Sequence, residues 1–156
     1  MALVQIDFPL PAETVVPHKG RISLLRNVLS HNENETVCDV LIHPDSLFLE
    51  NGVLGAWVTL EYMAQTVAAH AGVVARKNGG HPQIGFLLGA RRLELHTPFF
   101  RMGEILHVHA KHLWGEGELF SFSCTVYLGG GGGPVALAEL NVYRPAHMEE
   151  LLQGEK

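Results

Sequence analysis

The sequence predicts an α+β fold in which one long buried helix packs against an antiparallel sheet, and three observations carry that prediction. Apolar residues recur at three- and four-residue steps in the longest periodic segment, residues 56–77. Five other segments, 36–43, 85–96, 104–114, 119–128 and 135–143, are rich in Val, Ile, Leu, Phe and Tyr and partly alternate. The gaps between the last four are of hairpin length, too short for the crossovers that parallel strands need. The 156 residues suit a single domain, 1–156, with no room for a second core. Hydrophobic residues make up 47% and charged residues only 17%, below the roughly 25% usual in soluble domains. Much of the chain must therefore be buried in its own core or against a partner, so disorder is excluded and oligomerisation is expected.

The first residues, MALVQIDFPLP, carry an early Asp7 and no basic stretch ahead of an apolar one, which reads as an unprocessed start. No apolar run approaches the roughly 18 residues that span a bilayer, and the expected location is cytoplasmic. Residues 22–29 read as a further strand or a short helix, and 36–43 as a strand. In the helix, Leu60, Met63, Ala64, Val67, Ala71 and Val74 form the periodic stripe, and Asn78-Gly79-Gly80 supplies the stop. Its other faces hold Val58, Ala68, Ala69, Gly72 and Val73, so it is apolar nearly all round and small enough for close approach by a sheet. Among the strands that follow, Gly115-Glu116-Gly117 reads as a turn. The five glycines at 129–133 read as a flexible hairpin loop rather than a phosphate cradle, because Pro134 leads into another strand and not into a helix N-terminus.

Cys38 and Cys124 sit in apolar β-type runs far apart, as small buried hydrophobes do, and point to a reducing compartment. The net charge is −5, from 11 Lys and Arg against 16 Asp and Glu, so no general attraction draws the chain to nucleic acid or to an anionic membrane.

Glu61 is the one acid between Glu50 and Glu94, and its neighbours Val58, Leu60 and Met63 are apolar. Removing a carboxyl from water favours its neutral form, which makes it a proton donor near neutral pH. A surface glutamate near a positive helix end fits the same position. Gln65, one turn on, is placed to hydrogen-bond Glu61 or a ligand. Ahead of them, Asn51-Gly52-Val53-Leu54-Gly55-Ala56-Trp57 has glycines where the backbone turns, and it presents the N–H groups of the first helical turn, donors suited to a carbonyl oxygen that gains charge.

Ten histidines are present. His107, His109 and His112 resemble a metal cluster, yet on a strand only the first two share a face, and no acid or cysteine is placed with them. No metal or cofactor is expected. His31, His70, His81, His96 and His147 read as surface or packing residues. His18, after Val16-Pro17, and His43, at a strand end before the loop that feeds Glu61, are the candidate bases.

Three blocks carry a family resemblance. Val16-Pro17-His18-Lys19-Gly20-Arg21-Ile22-Ser23-Leu24-Leu25, Glu61-Tyr62-Met63-Ala64-Gln65 and Gly85-Phe86-Leu87-Leu88-Gly89-Ala90-Arg91 resemble, in order, blocks of the hotdog-fold 3-hydroxyacyl-acyl carrier protein dehydratases. The similarity is nearest to the branch associated with aryl polyene biosynthesis, where an Ala-Trp pair opens the helix as Ala56-Trp57 does. The resemblance implies a helix wrapped by a curved antiparallel sheet, dimers or dimers of dimers, and acyl tunnels at the dimer interface. It also implies removal of water from a 3-hydroxyacyl thioester, carried by acyl carrier protein or coenzyme A, to give the trans-2-enoyl product. In that chemistry a base takes the α-proton, Glu61 protonates the leaving hydroxyl, and the Ala56 N–H holds the thioester oxygen, with Trp57 and Gln65 beside the substrate.

The chain departs from the family at one point. The His-Phe-Pro-Gly run of the fatty-acid dehydratases is absent; its histidine position falls on Leu47, within Ser46-Leu47-Phe48-Leu49. His18 is the replacement base, with His43 in reserve. An acidic carrier would meet Lys19, Arg21, Arg26, Arg91 and Arg92. Two other functions share the pattern: a hotdog thioesterase, in which Glu61 activates water, and a non-catalytic acyl-binding module.

Overall fold

The computed structural model describes residues 4–81 and 85–145; His147 lies outside them. In chain order the strands are β1 (Leu10–Pro11), β2 (Asn27–His31), β3 (Glu35–Leu41), β4 (Val53–Gly55), β5 (Phe86–Leu95), β6 (Phe99–Arg101), β7 (Ile105–Glu116), β8 (Leu119–Leu128) and β9 (Ala136–Tyr143), and the helix α1 is Thr59–Lys77. Seven strands make one sheet in the order β1-β2-β3-β7-β8-β9-β5, and β4 pairs with β6. Every pairing is antiparallel, as the hairpin-length gaps require. No helix among the described residues is long and apolar enough to cross a membrane.

Two local readings change. Residues 22–29 divide into a 3-10 turn ending at Ile22 and the start of β2, because buried Asp39 accepts hydrogen bonds from the Asn27 N–H and the Arg26 guanidinium and draws this segment against β3. The turn read at Gly115-Glu116-Gly117 sits further on, at Gly117 and Glu118. Gly115 stays in β7 opposite Phe120, whose ring fills the space beside it; a Cβ there would lie 2.7 Å from Phe120 Cδ1.

The helix also turns a different stripe to the sheet. Tyr62, Met63, Thr66, Ala69, His70 and Val73 are buried, whereas of the periodic stripe read from the sequence Val74 is exposed and Ala64 and Ala71 are half-buried. Both stripes are apolar, so periodicity alone does not separate the face that meets the sheet from the face that meets a cavity. On the sheet, Leu106, Val108 and Ala110 of β7, Cys124 and Val126 of β8, and Ala138 and Leu140 of β9 point inward. Both cysteines are buried, and burial pushes each thiol up to about 12, so they act as small hydrophobes.

Two features position the site. Gly72 lets the segment after β1 lie directly on α1: a Cβ on Gly72 would sit 1.7 Å from the Val15 carbonyl oxygen. Strand β5 is the sheet edge, and its Phe86, Leu87, Leu88, Leu93 and Leu95 are 40–61% exposed. A long apolar edge is unusual in a chain that acts alone, because it offers unpaired backbone and greasy side chains together.

Candidate active site

Val15 and Val16 are fully buried against the helix, and the chain then carries Pro17 and His18 into the wall of a cavity of about 410 Å³. Ala64, Val67, Ala68 and Ala71 form the helix wall of that cavity, with Phe86 and Leu87 from β5 and Phe122 from β8. The His18 Nδ1 atom is buried and has no hydrogen-bond partner among the described residues. A buried polar atom left unpaired costs about 1–3 kcal/mol.

Glu61 lines the same cavity from the first turn of α1. Gln65 braces it: Nε2 donates to Glu61 Oε1 at 3.1 Å and to the Ile22 carbonyl at 2.7 Å, while Oε1 accepts the Leu24 N–H at 2.9 Å. Gln65 is buried and all three of its bonds go to protein, so it positions Glu61 and ties the helix to the segment after His18 instead of touching substrate. The expectation of a desolvated acid is not met within one chain. Glu61 is exposed, and none of the described residues covers it.

Three other candidates lie elsewhere. The Ala56 N–H, expected to hold a thioester oxygen, donates to the Pro98 carbonyl at 3.0 Å, a contact made by the link between β5 and β6. Trp57 is 57% exposed and stacks obliquely on Phe48, 5.2 Å between centroids, away from the cavity. His43, the reserve base, is exposed and borders a separate pocket with Arg21, Leu47 and Tyr62; its Nδ1 accepts the Asp45 N–H and shapes a local turn. Of the two pockets, His43 and Glu61 do not share one.

The basic cluster is also thinner than expected, since Arg26 is committed to Asp39 at 2.6 Å and Lys19 Nζ donates to the Glu13 carbonyl. His109 faces Glu35 and the Tyr127 ring. Among the described residues no group of three or more His, Cys, Asp or Glu side chains is placed to hold a metal ion.

Sequence reasoning missed a polar part of the cavity wall, where His70, His112, Glu33 and Arg144 join Phe120 and Phe122. His70 Nδ1 lies 2.7 Å from Thr36 Oγ1, which in turn lies 2.7 Å from His31 Nδ1. Burial, reinforced by the nearby basic side chains of His31, His112, Arg144 and Lys77, lowers the His70 pKa to about 4; burial and Lys77 lower that of His31 to about 4. Strand parity carried a signal for His112: it falls in phase with inward-facing Leu106, Val108 and Ala110.

A long helix against a curved antiparallel sheet, with an acid on the helix beside an acyl-sized cavity, defines a hotdog enzyme of thioester chemistry. Within that class, dehydratases and thioesterases are told apart by family. Residues 10–153 match the model of the ApeP-like family, described as ApeP dehydratase, and the chain belongs to that family. It is a hotdog dehydratase of the aryl polyene type, a hydro-lyase. The dehydratase heterocomplex ApeI:P from Xenorhabdus doucetiae contains a chain 25% identical, with a TM-score of 0.82, over 94% of this chain and 99% of that one. Zebra fish thioesterase superfamily member 2 is 16% identical at TM-score 0.61, over 85% of this chain and 90% of that one. A hypothetical thioesterase from Streptococcus pneumoniae TIGR4 is 11% identical at 0.57, over 75% and 86%. These two share the fold alone. No curated protein sequence matches.

Proposed function

We propose that this dehydratase removes water from a 3-hydroxyacyl thioester, with His18 as the base, Glu61 as the acid and the cavity between α1 and the sheet as the acyl site. The observation that carries the reading is that the His18 and Glu61 side chains line one largely apolar cavity. Neutral His18 takes a proton from the carbon next to the thioester carbonyl. The C2–H electrons form the double bond, the C3–O bond breaks, and protonated Glu61 gives its proton to the departing hydroxyl, which leaves as water. His18 ends protonated and Glu61 ionised, so returning one proton from base to acid restores the starting state.

The thioester oxygen still needs donors, and the Ala56 N–H already serves Pro98. The remaining N–H groups of the 3-10 turn Ala56–Val58, at the positive end of α1, are the candidates. The whole chain, 1–156, works as one hotdog unit in the cytoplasm. The exposed apolar β5 pairs with a second hotdog chain, like or unlike, and that pairing covers Glu61. A carrier-bound thioester approaches over Arg21 and Arg91.

Incubation with 3-hydroxyacyl and with saturated acyl thioesters tests the reading. Enoyl absorbance without free thiol is the expected outcome. Free thiol would support a thioesterase, and binding without turnover at every chain length an acyl-binding module.

A further inference from the structure

We infer that Lys19 is a positioning residue: its ammonium, closed back onto the Glu13 carbonyl, holds the neighbouring His18 ring in the cavity wall. The inference rests on the reading of His18 as the base. His18 lies in a segment with few fixed points. Val16, ahead of it, is fully buried, and Ile22, beyond it, offers its carbonyl to Gln65. Between them the chain passes through Gly20, where φ is +65°, a conformation that glycine takes without strain. Pro17 has no N–H to offer. Of Pro17, His18 and Lys19, only Lys19 forms a hydrogen bond among the described residues: its Nζ donates to the Glu13 carbonyl at 2.9 Å.

The point that Lys19 grips is itself fixed. In the 3-10 turn Ala12–Thr14, the Ala12 carbonyl accepts the Val15 and Val16 N–H groups at 3.0 and 3.2 Å, and the Pro11 carbonyl accepts the Thr14 hydroxyl at 2.7 Å. A turn that ends leaves its last carbonyls without partners in the chain ahead. The Glu13 carbonyl is one of these, and the Lys19 ammonium reaches back to it. From the helix side, Arg76 Nη1 donates to Thr14 Oγ1 at 3.1 Å, and Val15 and Val16 are fully buried. The turn is thereby fastened to α1, and residues 13–19 close into a loop with His18 beside the closure. Lys19 is exposed, so its bond adds little to the stability of the whole fold, and what it fixes is local. A small displacement of a base from the proton it removes lowers the rate steeply, because the reaction needs a near-attack geometry.

The test uses Lys19→Met, which keeps the length of the stem and removes its donors, and Lys19→Arg, which keeps a donor. Each is assayed on one 3-hydroxyacyl group carried either by acyl carrier protein or by N-acetylcysteamine. Lys19→Met is expected to lower kcat about five- to tenfold on both carriers while KM changes by less than about twofold, and Lys19→Arg to recover most of the loss. Modification of His18 by diethyl pyrocarbonate, read by mass spectrometry of the peptide that holds it, should be faster in Lys19→Met than in wild type, while the melting temperatures of the two proteins coincide. A KM rise confined to the carrier-bound substrate, with kcat and His18 labelling as in wild type, would overturn the inference and make Lys19 a carrier contact. A loss of kcat that Lys19→Arg does not recover would also overturn it. Faster labelling of His18 with turnover unchanged would leave the anchor standing and remove His18 as the base. Unchanged labelling in Lys19→Met beside an inactive His18→Gln would do the reverse.

Discussion

Gln65 Nε2 lies 3.1 Å from Glu61 Oε1 and 2.7 Å from the Ile22 carbonyl, so one buried amide joins the helix carboxyl to the segment that follows His18. The side chains proposed as acid and base come from parts of the chain more than forty residues apart, and this amide ties the helix to the segment after His18.

Gln65→Leu keeps the volume near constant and removes all three bonds. The Leu24 N–H and Ile22 carbonyl then lose their partner, which should destabilise the fold by about 1–3 kcal/mol and lower kcat more than it raises KM. Thermal melting and steady-state kinetics on the same sample check both parts. An unchanged kcat would mean that Glu61 needs no brace.

Gly72 and Val15 give a sharper case, because no room exists between them. A Cβ on Gly72 meets the Val15 carbonyl oxygen at 1.7 Å, so Gly72→Ala must push away the segment that delivers His18. The expected cost is about 1–3 kcal/mol from overpacking, with a fall in kcat even where the variant remains folded. A melting curve and a kcat that both match wild type would show that this segment does not hold the base.

Acid should weaken the protein through the His31–Thr36–His70 cluster. His70 titrates near 4 in the folded state against 6.5 when unfolded, so between those values the unfolded chain binds more protons. Stability from this group is therefore complete above about pH 6.5 and lost as the pH falls toward 4. Melting from pH 7.5 down to 4.5 should show a steeper loss in wild type than in His70→Gln, whose side chain does not titrate. Equal slopes would mean that His70 is solvated in the folded protein.

The strand pattern, the helix and the lone acid were legible in the sequence because each depends on local composition: β8 begins and ends where its apolar run does, and Glu61 stands out in a long stretch without acids. His18 was legible through its Pro-His block. Features set by distant contacts were not. The capture of the Ala56 N–H by Pro98 depends on how the β5–β6 link folds back, and the choice between two apolar stripes on α1 depends on where the sheet leaves a gap. His70 reads as packing because Thr36, its partner, lies 34 residues away on β3. The exposure of Glu61 was not legible either, because it depends on how the helix sits against an edge strand that is itself uncovered.

The most direct test measures enoyl formation from a 3-hydroxyacyl thioester by wild type, Glu61→Gln and His18→Gln, with folding confirmed by circular dichroism. Loss of a positioned acid or base should lower kcat by about 10²–10⁴-fold in each variant, and in the double variant by little more than in either alone. Turnover in either single variant within a fewfold of wild type would contradict the assignment of acid and base.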